Sequence, residues 1–135
     1  MILDTDVLID IERNDPAAIA WVESLSEPPS IPGFAAMEMV QDAENLRDLR
    51  RLTTFLSSFQ IVWPSEADMD RALVSFGSQR LRAGLGLVDC LIAATALGRG
   101  DELVTFNRRH YRHVPDLRIF QPYQSRRRPP GRSGN

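Results

Sequence analysis

Lysine is absent from this sequence, and cysteine is almost absent. All sixteen basic residues are arginines, and Cys90 is the one cysteine in 135 residues. The absence of lysine excludes chemistry that needs a lysine amine, such as phosphate binding by a P-loop or Schiff-base formation. A single cysteine excludes an internal disulfide and a cluster of thiolate metal ligands within one chain.

Long apolar runs are missing as well. No run approaches the ~20 residues that a membrane-spanning helix needs, and the chain starts with an apolar run rather than with the basic region and apolar core of a signal peptide. We therefore expect a cytoplasmic protein without a membrane partner. With 43% hydrophobic and 25% charged residues, the composition is that of a globular chain long enough for one domain and one core.

The charge is small and unevenly distributed. The formal net charge of -2 provides no overall attraction to nucleic acid, although four of the sixteen arginines lie in the last ten positions. Residues 124–135 are rich in Arg, Pro and Gly and contain no core-forming stretch, which predicts a disordered tail after a domain at residues 1–123. Two roles for the tail stay open: non-specific phosphate contacts with RNA, or no part in the chemistry.

Strand-like and helix-like patterns alternate along the chain, which predicts an α/β fold with a parallel sheet. Strands are expected near residues 1–3, 30–34, 60–64, 101–106 and 117–120. Helical patterns lie between them, with one starting near Pro16 and one, rich in small residues, from Leu87. Thr5 is a plausible N-cap of the first helix. Pro32 cannot donate a ladder hydrogen bond, so the second strand should be short or irregular.

Four polar side chains have similar positions relative to these elements. Asp4 ends the first strand, Glu38 follows the second, Asp89 begins the small-residue helix and Asn107 follows the strand that ends at Thr105. In a parallel sheet such positions can converge at the carboxyl edge, where open α/β sheets bind their ligands.

Clustered carboxylates repel one another unless a positive charge lies between them. Mg²⁺ and Mn²⁺ prefer oxygen ligands, and no histidine or cysteine spacing typical of a zinc site is present. Such a metal can polarise a phosphoryl oxygen and activate water, which predicts a phosphate ester as substrate. On their own segment, however, Asp4 and Asp6 could equally serve only to cap the turn.

Four stretches of this sequence resemble the successive motifs of PIN domains, and of VapC-like toxins in particular. They are Leu3-Asp4-Thr5-Asp6-Val7-Leu8-Ile9, Met37-Glu38-Met39, Asp89-Cys90-Leu91-Ile92-Ala93-Ala94-Thr95-Ala96 and Thr105-Phe106-Asn107-Arg108-Arg109-His110-Tyr111. The resemblance extends to about residue 123. It implies a three-layer α/β/α sandwich with a small central parallel sheet flanked by helices.

The resemblance also implies an activity, that of a metal-dependent ribonuclease acting as the toxin of a toxin-antitoxin pair. Asp4, Asp89 and Glu38 would then be the ligands of Mg²⁺, or of Mn²⁺ in its place. Asn107 would occupy the fourth position of the pocket, and Asp6 would be a neighbouring site residue. Because Asn107 carries no charge, a single-metal mechanism is expected. Either Glu38 or Asp6 would act as general base for the attacking water.

The partners implied by the resemblance are an RNA substrate, a cognate antitoxin and a second copy in a homodimer. The antitoxin would occupy a groove formed by helices between residues 17 and 59, with an arginine entering the acidic pocket. In that region Arg47, Arg50 and Arg51 are either a solvated face or a partner contact.

Two other functions are compatible with the residues. One is a catalytically silent PIN-like module that only binds a protein. The other is a haloacid-dehalogenase-type phosphatase, with Asp4 as nucleophile and Asp6 as acid/base, which the missing lysine disfavours. Cys90 is expected in the core. His110 and His113 could contact phosphate or transfer protons, although packing of His110 and Tyr111 against the body is the simpler expectation.

Overall fold

A computed structural model describes residues 1–125, and a five-stranded sheet lies at its centre. The strands are β1 (Ile2–Leu3), β2 (Ser30–Pro32), β3 (Gln60–Val62), β4 (Leu103–Val104) and β5 (Ile119–Phe120). Their order is β3-β2-β1-β4-β5, and all neighbouring pairs are parallel. The predicted parallel sheet is confirmed, with each strand reduced to two or three residues.

Helices flank this sheet in a three-layer α/β/α sandwich, as the resemblance implied. They are α1 (Thr5–Glu12), α2 (Pro16–Glu23), α3 (Gly33–Gln41), α4 (Leu46–Leu56), α5 (Glu66–Ala83), α6 (Leu87–Arg99) and α7 (Arg108–Tyr111). No helix among the described residues is long and apolar enough to cross a lipid bilayer. The predicted tail at 124–135 lies, from residue 126 onward, outside the described residues.

The central strands supply the core. Ile2, Leu3, Ile31, Leu103 and Val104 have no solvent exposure. Burying an aliphatic side chain of this size stabilises the fold by about 1.5–3 kcal/mol. Strands that are covered on both faces read as continuous apolar runs rather than as alternating patterns, which explains why such short segments were recognisable in the sequence.

The N-cap of the first helix lies one residue before the residue expected to form it. Asp4, and not Thr5, is the N-cap of α1: its backbone is extended, with φ -73° and ψ 160°, and its Oδ1 accepts a hydrogen bond from the Thr5 amide at 2.8 Å. The prediction of Thr5 as the cap was therefore wrong. β1 ends at Leu3, so the first residue after the strand already makes the turn into the helix.

Pro32 ends β2, where it is tolerated for a structural reason. β1 pairs with β2 only through Ile2 and Ser30, whereas Pro32 pairs with Val62 of β3. The N–H that proline lacks therefore lies where the β1 ladder has already ended. The expectation of a short second strand is confirmed.

The helix after this strand, α3, starts at Gly33. The ring of Trp63 occupies the space that a Cβ at Gly33 would take. Only a glycine allows this close approach of the aromatic ring to the backbone.

Candidate active site

The sheet brings the ends of β1 and β4 together. Asp4 directly follows β1, and its amide donates to the Val104 carbonyl at 2.9 Å. Thr105 directly follows β4, and Asn107 precedes α7. Because β1 and β4 are adjacent and parallel, these side chains leave the sheet at the same edge. Asp89 reaches this edge from the first turn of α6.

The Asp4 carboxylate is buried, with 4% of the residue exposed. Its Oδ2 accepts from the Thr105 hydroxyl at 2.7 Å, and its Oδ1 accepts from the Thr5 amide. Burial raises the pKa of Asp4 well above its ordinary value, as do the carboxylates of Asp6 and Asp89, whereas the bonds from Thr105 and Thr5 lower it. The site therefore favours a proton or a cation beside Asp4.

Tyr111 connects the two central carboxylates. Its hydroxyl lies 3.4 Å from Asp4 Oδ1 and 3.3 Å from Asp89 Oδ1, and the residue has no solvent exposure. Burial raises the pKa of Tyr111 well above its ordinary value, and the carboxylates of Asp4, Asp89 and Asp6 raise it further. The phenol therefore keeps its proton and remains a donor between Asp4 and Asp89.

Sequence reasoning assigned only packing to Tyr111, and so missed its place in the site. A local signal existed, because Tyr111 lies four residues after Asn107 and so on the same face of a helical turn.

Asp6 joins the site from the first turn of α1. Its Oδ2 accepts from the Phe106 amide at 3.1 Å, and its Oδ1 accepts from the Val7 amide at 2.7 Å. The bond to Phe106 ties α1 to the segment that follows β4. Asp6 therefore orders the backbone between Thr105 and Asn107 and also adds negative charge beside Asp4.

Asn107 reaches the carboxylates through His110. Its side-chain Nδ2 lies 3.0 Å from His110 Nδ1, and that ring nitrogen lies 3.4 Å from Asp89 Oδ2. The Asn107 amide donates to the Thr105 hydroxyl at 2.9 Å. His110 thus contacts the site residues Asn107 and Asp89, which goes beyond the packing role expected from the sequence.

Glu38 is not joined to the other predicted site residues. It is half-buried in α3, and its carboxylate makes no hydrogen bond or ion pair with any residue in the described range. Within residues 1–125, no three His, Cys, Asp or Glu side chains are placed to hold a metal ion together. The structure thus brings together Asp4, Asp6, Asp89 and Asn107, and the role of Glu38 stays a prediction.

The donor set around Asp4 and Asp89 suits a hard divalent cation. Both offer carboxylate oxygens to the same space beside Tyr111, and neither forms an ion pair with an arginine in the part of the chain described here. The hydroxyl of Thr5, next to Asp4, is buried without a hydrogen-bond partner among the same residues. Mg²⁺ usually binds proteins through one or two carboxylates and completes its shell with waters and substrate phosphates, so a pair of aspartates fits it.

Cys90 lies next to Asp89 but is not equipped as a nucleophile. The residue is 5% exposed, and burial, followed by the charge of Asp89, raises the pKa of its thiol. A reactive cysteine needs the opposite environment, one that stabilises the thiolate. The expectation of a core cysteine is confirmed.

This chain matches one protein-family model and is similar to a set of solved structures. The family model for the PIN domain matches residues 1–116. A toxin-antitoxin complex from Klebsiella pneumoniae is 27% identical, with a TM-score of 0.72 over 92% of this chain and 98% of that chain. A DNA-bound VapBC from Salmonella typhimurium is 25% identical, with a TM-score of 0.69 over 88% and 95%.

A third structure agrees with the fold. VapBC-1 from nontypeable Haemophilus influenzae is 20% identical, with a TM-score of 0.73 over 88% of this chain and 95% of that chain. A comparison with curated proteins found no match.

Proposed function

The chain belongs to the PIN domain family, and from this we propose that it is a metal-dependent endoribonuclease, the toxin of a toxin-antitoxin pair. The observation that carries the proposal is the pair of carboxylates, Asp4 and Asp89, held around the buried Tyr111 hydroxyl at the carboxyl edge of the sheet.

Asp4 and Asp89 would hold one Mg²⁺, or Mn²⁺ in its place. Bound there, the ion would polarise a phosphoryl oxygen of the substrate and lower the pKa of a water. The protein's own residues prepare this position: Thr105 and the Thr5 amide orient the Asp4 carboxylate, and Tyr111 donates to it.

Two carboxylates can serve as the general base of this mechanism. Asp6 and Glu38 are the candidates to accept the proton of the attacking water. Asp6 lies beside Asp4 and is held by the Phe106 amide. Glu38 has no bond that fixes its carboxylate within the described residues, which leaves it free to turn toward a bound substrate.

We propose that the protein partner is a cognate antitoxin. Support comes from the solved neighbours, which include a toxin-antitoxin complex of 27% identity. A segment of the antitoxin would lie over α2, α3 and α4, where Met37 and Leu46 are 60% and 68% exposed. An arginine of that segment could pair with Asp4 and Asp89, because guanidinium groups bind carboxylates in a bidentate geometry.

The activity test compares RNA cleavage by the wild type and by Asp89→Asn. The substrates are tRNA, rRNA fragments and single-stranded DNA, each with Mg²⁺, Mn²⁺ or EDTA. We expect RNA cleavage with metal only, and its loss in Asp89→Asn and in Asp4→Asn. Asp70→Asn is the matched control, because Asp70 is an exposed carboxylate of α5 and should leave cleavage unchanged.

One observation favours a second function, the catalytically silent module. Within residues 1–125, no third carboxylate is placed to hold a metal ion together with Asp4 and Asp89. A silent module would show no Mg²⁺-dependent rise in its thermal unfolding midpoint, whereas a metal-binding nuclease would, because a ligand that binds only the folded state stabilises it. Absence of both the thermal shift and cleavage would replace the nuclease with this module. The phosphatase alternative is not retained, because the PIN model covers residues 1–116.

A further inference from the structure

A basic groove lies beside the acidic site. It is open, has a volume of about 690 Å³, and runs between the C-terminal end of α5 and the α7 region. Its charged and polar lining consists of Arg80, Arg82, Arg109, His110, Arg112 and His113. The last turn of α5 and the segment 109–113 thus place four guanidinium groups around one space.

Within the described residues, no carboxylate neutralises the four arginines of the basic groove. No aspartate or glutamate lines it, and none of its four arginines forms an ion pair with a carboxylate of the described residues. By contrast, Arg51 and Arg71 do pair with carboxylates. A cleft lined by charges of one sign attracts ligands of the opposite sign. The basic groove is therefore a candidate anion site.

Two of these guanidinium groups are positioned by uncharged neighbours, a backbone carbonyl and a histidine ring, rather than by carboxylates. Arg80 donates to the Gly84 carbonyl at 3.0 Å, and Arg112 Nε lies 3.1 Å from His113 Nε2. Each guanidinium carries five N–H donors, so most remain available. These contacts hold Arg80 and Arg112 at the groove without cancelling their charge.

His110 connects the basic groove to the acidic site. It lines the groove, and its Nδ1 lies 3.4 Å from Asp89 Oδ2. A long ligand bound in the groove would therefore lie next to Asp89. With a metal at the aspartates, a phosphodiester chain can place one phosphate at that metal and the next ones among the arginines.

We propose that the basic groove binds the phosphodiester backbone of single-stranded RNA on one side of the bond that is cleaved. The proposal rests on the proposed nuclease function. No phenylalanine, tyrosine or tryptophan lines the groove, and arginines are its most numerous lining residues. Its contacts are to phosphates, which position the RNA without reading its sequence.

The test measures RNA binding without cleavage. A fluorescein-labelled single-stranded RNA of mixed sequence is titrated with the protein in EDTA at several NaCl concentrations. The double variant Arg82→Gln/Arg109→Gln should bind about tenfold more weakly than the wild type. Its slope of log K against log salt concentration should be less steep by ~1.4, since each lost single-strand phosphate contact contributes ~0.7.

A matched pair of arginines provides the control. Arg47 and Arg50 of α4 are exposed and form no ion pair with the described residues, so Arg47→Gln/Arg50→Gln removes the same charge elsewhere. This variant should keep the wild-type affinity and salt slope. The charge-conserving Arg82→Lys/Arg109→Lys should restore most of the binding, which excludes misfolding as the cause of the loss.

Some results would overturn the proposal. They are an equal loss in the α4 control, an unchanged salt slope in Arg82→Gln/Arg109→Gln, or a polyglutamate peptide that competes better than RNA. The two proposals fail in different ways. If RNA binds through the groove but is not cut with Mg²⁺, the proposed nuclease activity is contradicted and the proposed RNA binding in the groove is supported. If Arg82→Gln/Arg109→Gln cleaves and binds RNA as well as the wild type, the proposed RNA binding in the groove is contradicted and the nuclease activity is supported.

Discussion

At the scale of single residues, Tyr111 explains how two aspartates share a buried edge of the sheet. Its hydroxyl lies within 3.4 Å of a carboxylate oxygen of both Asp4 and Asp89. Like charges in a poorly solvated site repel one another unless donors or a cation lie between them. Tyr111 supplies a donor at all times, and a metal would supply the cation.

The variant Tyr111→Phe separates this role from packing. The phenyl ring retains the buried volume, so the fold should persist, and the free energy of unfolding in EDTA should fall by about 1 kcal/mol for the lost hydrogen bonds. Cleavage of RNA should slow as well, because the two carboxylates lose their common donor. Urea unfolding and cleavage assays measure the two effects.

Tyr123→Phe is the matched control for this change. Tyr123 donates to the buried Asp10 at 3.0 Å, whereas Tyr111 is the tyrosine bonded to Asp4 and Asp89. This variant should lose stability to a similar extent and retain full cleavage. Equal loss of activity in both variants would contradict a specific role for Tyr111.

The hydroxyl of Tyr123 also predicts a dependence of stability on pH. Burial, followed by the charge of Asp10, raises the pKa of Tyr123 above its ordinary value of 10.0. Above pH 10 the unfolded chain loses this proton while the folded chain keeps it, so the folded state binds more protons and stability falls as pH rises. Urea unfolding between pH 9 and pH 11 should show a steeper decline for the wild type than for Tyr123→Phe, and identical slopes would contradict the assignment.

At the scale of elements, α5 is held by its N-terminal cap and by its contact with α6. Ser65 and Asp68 form a reciprocal capping box, with the Asp68 amide donating to Ser65 Oγ at 3.1 Å and the Ser65 amide donating to Asp68 Oδ2 at 2.8 Å. The Asp68 carboxylate also fills the space that a Cβ at Gly98 would occupy. The cap of α5 is thus part of its packing against α6.

Ser65→Ala should lower the free energy of unfolding by about 1 kcal/mol, which is the usual cost of losing an N-cap side chain. Ser78→Ala is the control, because Ser78 is an exposed serine inside the same helix, where alanine is a better helix former. Urea unfolding of both variants measures the difference. A loss in Ser78→Ala as large as in Ser65→Ala would contradict the capping role.

At the scale of the whole molecule, α5 presents an uncovered apolar face. Leu73, Val74 and Leu81 are 77%, 87% and 89% exposed, and open space surrounds Gly77 between them. The glycine would let a second helix approach closely. This face is where we expect the homodimer implied by the resemblance to form, since exposed apolar patches mark association sites.

Val74→Asp should shift the protein from dimer to monomer in size-exclusion chromatography with light scattering. The side chain is exposed, so the monomer fold should be unaffected. Leu46→Asp places the same charge at another exposed apolar position, on α4, and should leave the dimer intact. A dimer that persists in Val74→Asp would contradict this location of the interface.

The positions of Asp4, Asp89 and Asn107 could be predicted from the sequence for one physical reason. Each lies at the end of a strand or at the start of a helix, and the ends of parallel strands necessarily share one edge of the sheet. The short apolar runs identified those strands, and family resemblance identified their chemistry. The sequence by itself therefore determined the fold class, the edge at which the site lies and three of the residues that meet there.

Only the tertiary structure decided the direction of the helical side chains and the meeting of distant segments. Because a helix turns by ~100° per residue, packing decides where Glu38 points from α3 and which face of α7 carries Tyr111 and His110. The basic groove has the same origin. Arg82 and Arg109 are far apart in the chain, and they line one space because α5 ends beside α7, a contact that no local pattern contains.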